Sequence, residues 1–121
     1  MIDILGNLRQ FYIRCGYTDL RKQIDGLVAI IQSQVEMEEG ALFLFCGKRA
    51  DRMKGLFWDG TGYVLIYKRL SNSRFQWPRN EEDLKLITPQ EYRWLMEGLS
   101  IYQATEVNTI TDNLLRRIKN L

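Results

Sequence analysis

Apolar residues at Leu20, Ile24, Leu27, Val28, Ile31 and Val35 fall on one helical stripe. The pattern predicts a helix with Thr18 as N-cap and Asp19 in its first turn, ending between Met37 and Gly40. Gly26, inside that stripe, predicts close packing against a neighbouring element. Ahead of the helix, Phe11 to Arg14 reads as a short strand, broken by Gly16. Beyond it, Ala41 to Cys46 is a continuous apolar run, the signature of a buried central strand. Arg52 to Trp58 and Tyr63 to Leu70 follow as two strands joined by Asp59-Gly60-Thr61-Gly62, a hairpin signal. On the pleat of the second, Tyr63, Leu65, Tyr67 and Arg69 share one face, and Val64, Ile66 and Lys68 the other. Phe75 to Pro78 reads as a short edge strand and Arg79 to Asp83 as a charged loop. Thr88-Pro89-Gln90-Glu91 is a capping box with Pro at the first helical position, and Gly98 closes that helix. Val107, Ile110, Leu114, Ile118 and Leu121 form a last helical stripe.

These elements predict a small α+β fold: an antiparallel sheet of four or five strands packed against two helices, with a C-terminal helical tail. Residues 1–100 are expected to form one domain and residues 101–121 the tail. A chain of 121 residues can bury a core without disulfides or metal. No apolar run reaches membrane-spanning length, so no membrane partner is expected. The first residues lack the apolar stretch of a secretory signal, and a cytoplasmic location is expected.

Cys15 and Cys46 are too few for a disulfide framework and sit among apolar neighbours, as buried thiols do. The chain has no histidine, which removes Ser-His-Asp and Cys-His chemistry and His-containing zinc sites. Carboxylate chemistry would need acids that converge. Asp19 and Asp25 are six residues apart on the predicted helix and do not share a face, and Asp59 suits a turn. No catalytic residue, metal or cofactor is expected.

Charge changes the picture. Leu42 to Arg79 holds eight Lys/Arg against two acids, in a chain whose net charge is only +2, so the remainder is acidic. The same stretch carries eight of the fourteen aromatics. A concentrated basic surface speaks of an anionic partner. Arg49, Arg52, Lys54, Lys68, Arg69 and Arg74 are the candidate nucleic-acid contacts, with Tyr67 and Trp77 as candidates for base stacking. The alternative is a sheet with aromatics in its core and cations on a solvated face. Arg21 and Lys22 are additional candidate phosphate contacts at a helix start. The competing arrangement there is an Arg21–Asp25 pair one helical turn apart. The C-terminal stripe suits core packing, a homodimer contact or docking on another protein.

The segments YTDLRKQIDGL (Tyr17 to Leu27), LFLFCGKRADRMKGLFWDGTGYVLIYKRL (Leu42 to Leu70) and RFQWP (Arg74 to Pro78) together resemble one family. It is the TnpB-type accessory protein, the second open reading frame, of the insertion sequence sixty-six family. The resemblance runs from about Phe11 to Ser100, and Thr88 to Leu99 fits the helix that ends the common region. Gln23 and Ile24 stand where many relatives have Gly and an aromatic. The resemblance implies a non-catalytic accessory of transposition, acting with a separate transposase or other element-encoded proteins, with DNA as the expected partner. An adaptor that docks on the transposase without touching DNA is the other function it allows.

Overall fold

The computed structural model describes residues 6–79 and 83–102. Five strands form one sheet: β1 (Gln10–Tyr17), β2 (Ala41–Cys46), β3 (Arg52–Trp58), β4 (Tyr63–Arg69) and β5 (Leu84–Ile87). Two helices accompany them, α1 (Ile24–Gln32) and α2 (Pro89–Met96). The strand order is β4-β3-β2-β1-β5. The α+β fold is the expected one. Three of its four pairings are antiparallel, while β1 and β2 run parallel. A parallel neighbour needs a crossover, and α1 with its flanking loops supplies it. The tail expected over Val107 to Leu121 lies outside the described residues.

All six residues of β2 are buried because both sheet faces are covered. On one face Ala41, Phe43 and Phe45 pack with Leu56 of β3 and with Leu27 and Ile31 of α1. On the other, Leu42, Leu44 and Cys46 pack with Phe11, Ile13, Phe57, Leu95 of α2 and Ile101. Leu27 and Ile31 are fully buried, each contributing about 2 kcal/mol of apolar burial. Tyr92 of α2 stacks on Phe11 of β1, with ring centroids 4.3 Å apart.

The capping box forms as its sequence requires: Thr88 Oγ1 accepts from the Glu91 N–H at 3.0 Å, and Glu91 Oε1 accepts from the Thr88 N–H at 2.8 Å. The hairpin turn forms too, with Asp59 Oδ1 accepting the N–H groups of Thr61 and Gly62, both at 2.9 Å.

Several features differ from expectation. β1 continues past Arg14 to Tyr17, through a register shift in which Gly16 takes φ +84°. Thr18 caps no helix: its N–H donates to the Cys46 carbonyl at 2.8 Å, carrying the β1–β2 pairing one residue further, and α1 begins six residues later, behind Gln23. The helix stops at Gln32, where Ser33 Oγ donates back to the Ile30 carbonyl. Phe75, Trp77 and Pro78 are buried in a segment outside the ladder, and the fifth strand is Leu84–Ile87 instead. Gly26 does not mark a close backbone approach: a Cβ there would first meet the side chain of its own neighbour Lys22.

Candidate nucleic-acid interface

The parallel pairing of β1 and β2 ends at Tyr17 and Cys46, which are register partners. Beyond that point the chains diverge, one into the Thr18–Gln23 loop and the other into the Gly47–Asp51 turn. Crevices form where connections leave the carboxyl ends of parallel strands in this way. Here the crevice is a cleft of about 570 Å³. Its cations are Arg21 from the first loop, Lys48 and Arg49 from the turn, and Arg52 from β3. Its acids are Asp19 and Asp51, so the lining carries a net +2. Leu20, Tyr17 and Tyr67 give it apolar surface.

Backbone hydrogen bonds hold both walls. Gly47 N–H donates to the Arg52 carbonyl at 3.1 Å, and Ala50 N–H to the Gly47 carbonyl at 2.9 Å. Among the described residues Ala50 is the one non-glycine with positive φ, at +63°, a strained state that tightens this turn. The next segment is tied to it: Leu70 N–H donates to the Asp51 carbonyl and Phe75 N–H to the Ala50 carbonyl.

Arg21 makes its ion pair with Asp19, at 2.7 Å, rather than with Asp25. Those hydrogen bonds hold the Asp19 carboxyl well below the usual carboxylate range and raise the Arg21 guanidinium. Arg52 Nε lies 3.5 Å from Asp51 Oδ1, an ion contact without hydrogen-bond geometry. Thr18 Oγ1, Asp51 Oδ1 and Arg52 Nε are buried atoms without a hydrogen-bond partner, and all three belong to residues lining the cleft. Burial pushes the Cys46 thiol up to about 12, with the Asp51 charge adding to the effect, so it is no nucleophile at neutral pH.

The sequence candidates divide as follows. Arg21, Arg49 and Arg52 meet in the cleft. Arg69 is exposed and is the register partner of Arg52, on the same sheet face. Lys54 is buried, and its Nζ donates to the Lys22 carbonyl at 2.9 Å, pinning the loop before α1 to the sheet. Lys22 is exposed but does not line the cleft. Lys68 faces the α2 side, where its Nζ donates to the Met96 carbonyl at 2.9 Å. Arg74 is exposed in the loop after β4, with its carbonyl near Gly98 beyond α2. Trp77 is buried: its Nε1 donates to the Arg14 carbonyl at 2.8 Å, and its ring meets Phe75 edge-on. Tyr67 is 55% exposed.

Lys48, Thr18 and Tyr17 also line the cleft, and none of them was expected from the sequence to be a contact. Arg79 adds a cation beside it, 5.3 Å over the Tyr17 ring. Among the described residues, no three Cys, Asp or Glu side chains gather as a metal-ion cluster, and no helix is long and apolar enough to cross a membrane.

Fold and cleft together define a small α+β protein with a basic, aromatic-edged crevice at the carboxyl ends of its parallel strands. The family described as IS66 Orf2 like protein matches residues 9–106, and the chain belongs to that family. It is 34% identical over 83 residues to uncharacterized protein y4jC of Sinorhizobium fredii, covering 67% of this chain and 71% of that one. It is 32% identical over 90 residues to uncharacterized protein y4hO of the same organism, covering 73% and 78%. No solved structure matches the chain.

Proposed function

We propose that this protein is a non-catalytic accessory of insertion-sequence transposition that contacts DNA through the cleft between the Thr18–Gln23 loop and the Gly47–Asp51 turn. The family gives the context of transposition. The observation that carries DNA contact is the convergence of Arg21, Lys48, Arg49 and Arg52 from separate stretches of chain onto one crevice. Arg49 is exposed in its turn, and Arg52 keeps 38% of its side chain in solvent, so both can reach phosphate. Arg21 contributes less charge because Asp19 already neutralises it. Strand breakage and joining fall to a separate transposase, and this chain supplies binding.

The test is filter binding to the element's terminal DNA over a salt series. Affinity should fall steeply with salt, and Arg49→Ala with Arg52→Ala should weaken binding and flatten the slope by about one per lost phosphate contact. No binding at low salt would overturn the proposal. A second reading, docking on the transposase, draws on Lys68 and Arg74, which lie away from the cleft. It predicts that charge reversal at those two residues abolishes capture of the transposase and leaves DNA affinity unchanged.

A further inference from the structure

We infer that the cleft receives an unpaired nucleotide, so that the protein prefers single-stranded DNA to duplex. The inference rests on the DNA-contact reading above and specifies what enters the site. The cleft is open, and its volume of about 570 Å³ lies within the range of small-ligand sites, roughly 300–1,000 Å³. A duplex presents a convex row of phosphates and keeps its base faces stacked inside, so it can lie across such a cleft but cannot fill it.

The aromatic surface points to a base. Tyr67 stands at the cleft with 55% of its surface exposed, and among the described residues no ring stacks on it and no cation sits over its face. An exposed tyrosine beside arginines is the usual platform for an unstacked base. Tyr17 already carries Arg79 on its ring, which leaves Tyr67 as the platform.

The unpartnered polar atoms point the same way. Buried polar groups are nearly always hydrogen-bonded. Thr18 is only 4% exposed, yet its Oγ1 has no hydrogen-bond partner, and Arg52 Nε has only its 3.5 Å ion contact with Asp51 Oδ1; a small turn of either side chain toward the cleft lets it donate to a phosphate oxygen. Asp51 Oδ1 accepts no hydrogen bond, its one charged neighbour being Arg52 Nε at 3.5 Å. A phosphodiester offers acceptors and cannot serve it. The exocyclic amine of adenine, cytosine or guanine can. Donors and an acceptor in one crevice match a nucleotide with its base exposed better than a bare backbone.

The experiment is fluorescence anisotropy at low salt, using a short labelled oligonucleotide alone and annealed to its complement. Proteins compared are the wild type, Tyr67→Ala and Tyr67→Phe, each checked for folding by circular dichroism. The single strand should bind at least about fivefold tighter than the duplex. Tyr67→Ala should lose about 5- to 150-fold on the single strand, the range of one base–aromatic stack, with little change on duplex. Tyr67→Phe should retain wild-type affinity. Equal affinity for both forms, unaffected by Tyr67→Ala, would overturn the nucleotide inference while leaving DNA contact standing. No binding to either form would overturn both.

Discussion

Arg52 of β3 and Arg69 of β4 are direct register partners, so two guanidinium side chains leave the same face of the sheet opposite each other. Like charges directly opposite each other destabilise a sheet. An anion bound at the adjoining cleft would offset the repulsion. Arg69→Thr should therefore raise stability by a few tenths of a kcal/mol in urea unfolding and lower DNA affinity in the same preparation. A stability gain with unchanged affinity would separate Arg69 from the binding surface.

Lys54 sits only two residues from Arg52 but does a different job. It is buried, and its ammonium holds the Lys22 carbonyl. Lys54→Met keeps the aliphatic stem and removes that bond, which should cost about 1.5–3 kcal/mol in urea unfolding. DNA affinity of the folded fraction should change far less than in Arg49→Ala. A large affinity loss with unchanged stability would reverse this assignment.

Trp77 closes the α2 side of the core. Trp77→Phe removes the donor to the Arg14 carbonyl and leaves that acceptor without its partner, at a cost of about 1–3 kcal/mol. Single-strand affinity of the folded protein should not move, because the indole is buried away from the cleft. Chemical denaturation and anisotropy on the same variant check both halves.

Asp83 ties the start of β5 to two other elements, accepting from Arg14 Nε of β1 at 2.9 Å and from Gln34 after α1. The Arg14 hydrogen bond depresses its pKa, with the bond from Gln34 also contributing. A carboxyl depressed in the folded state binds its proton more readily when unfolded. Its stabilising effect is therefore present above the unfolded value near pH 4 and is lost as pH falls through the lower native value. Asp83→Asn should lower stability at pH 7 and narrow the difference from wild type as pH is taken below about 4. Urea midpoints measured across that range supply the check; a gap that widens toward acid would contradict it.

The sheet was legible wherever a strand carried its own signal. Ala41–Cys46, Arg52–Trp58 and the hairpin at Asp59–Gly62 follow from apolar runs and turn chemistry, as does the capping box at Thr88. What failed were positions decided by partners distant in sequence. Thr18 has the chemistry of an N-cap, but its N–H extends the pairing with β2 at the Cys46 carbonyl, and the helix starts only behind Gln23. Phe75 and Trp77 have the composition of a strand, yet they are buried against the sheet's α2 face, while Leu84–Ile87, with a lysine in its middle, pairs with β1. Charge density along the chain marked the basic region and could not say which cations share a surface. Arg21 joins Arg49 and Arg52 only because β1 and β2 run parallel and end together at Tyr17 and Cys46. Lys54 and Lys68 leave the set because one is buried and the other is bonded to the Met96 carbonyl at the end of α2.

Nucleic acid held between the Thr18–Gln23 loop and the Gly47–Asp51 turn would perturb both walls of the cleft at once. The most direct measurement is a titration of the ¹⁵N-labelled protein with a short single-stranded oligonucleotide, following backbone amide shifts. The predicted result is a contiguous set of shifts at Thr18, Arg21, Gly47, Arg49, Arg52 and Tyr67, with the α2 side around Lys68 and Met96 unmoved. Shifts centred on Lys68, Arg74 and α2, or none at saturating oligonucleotide, would contradict it.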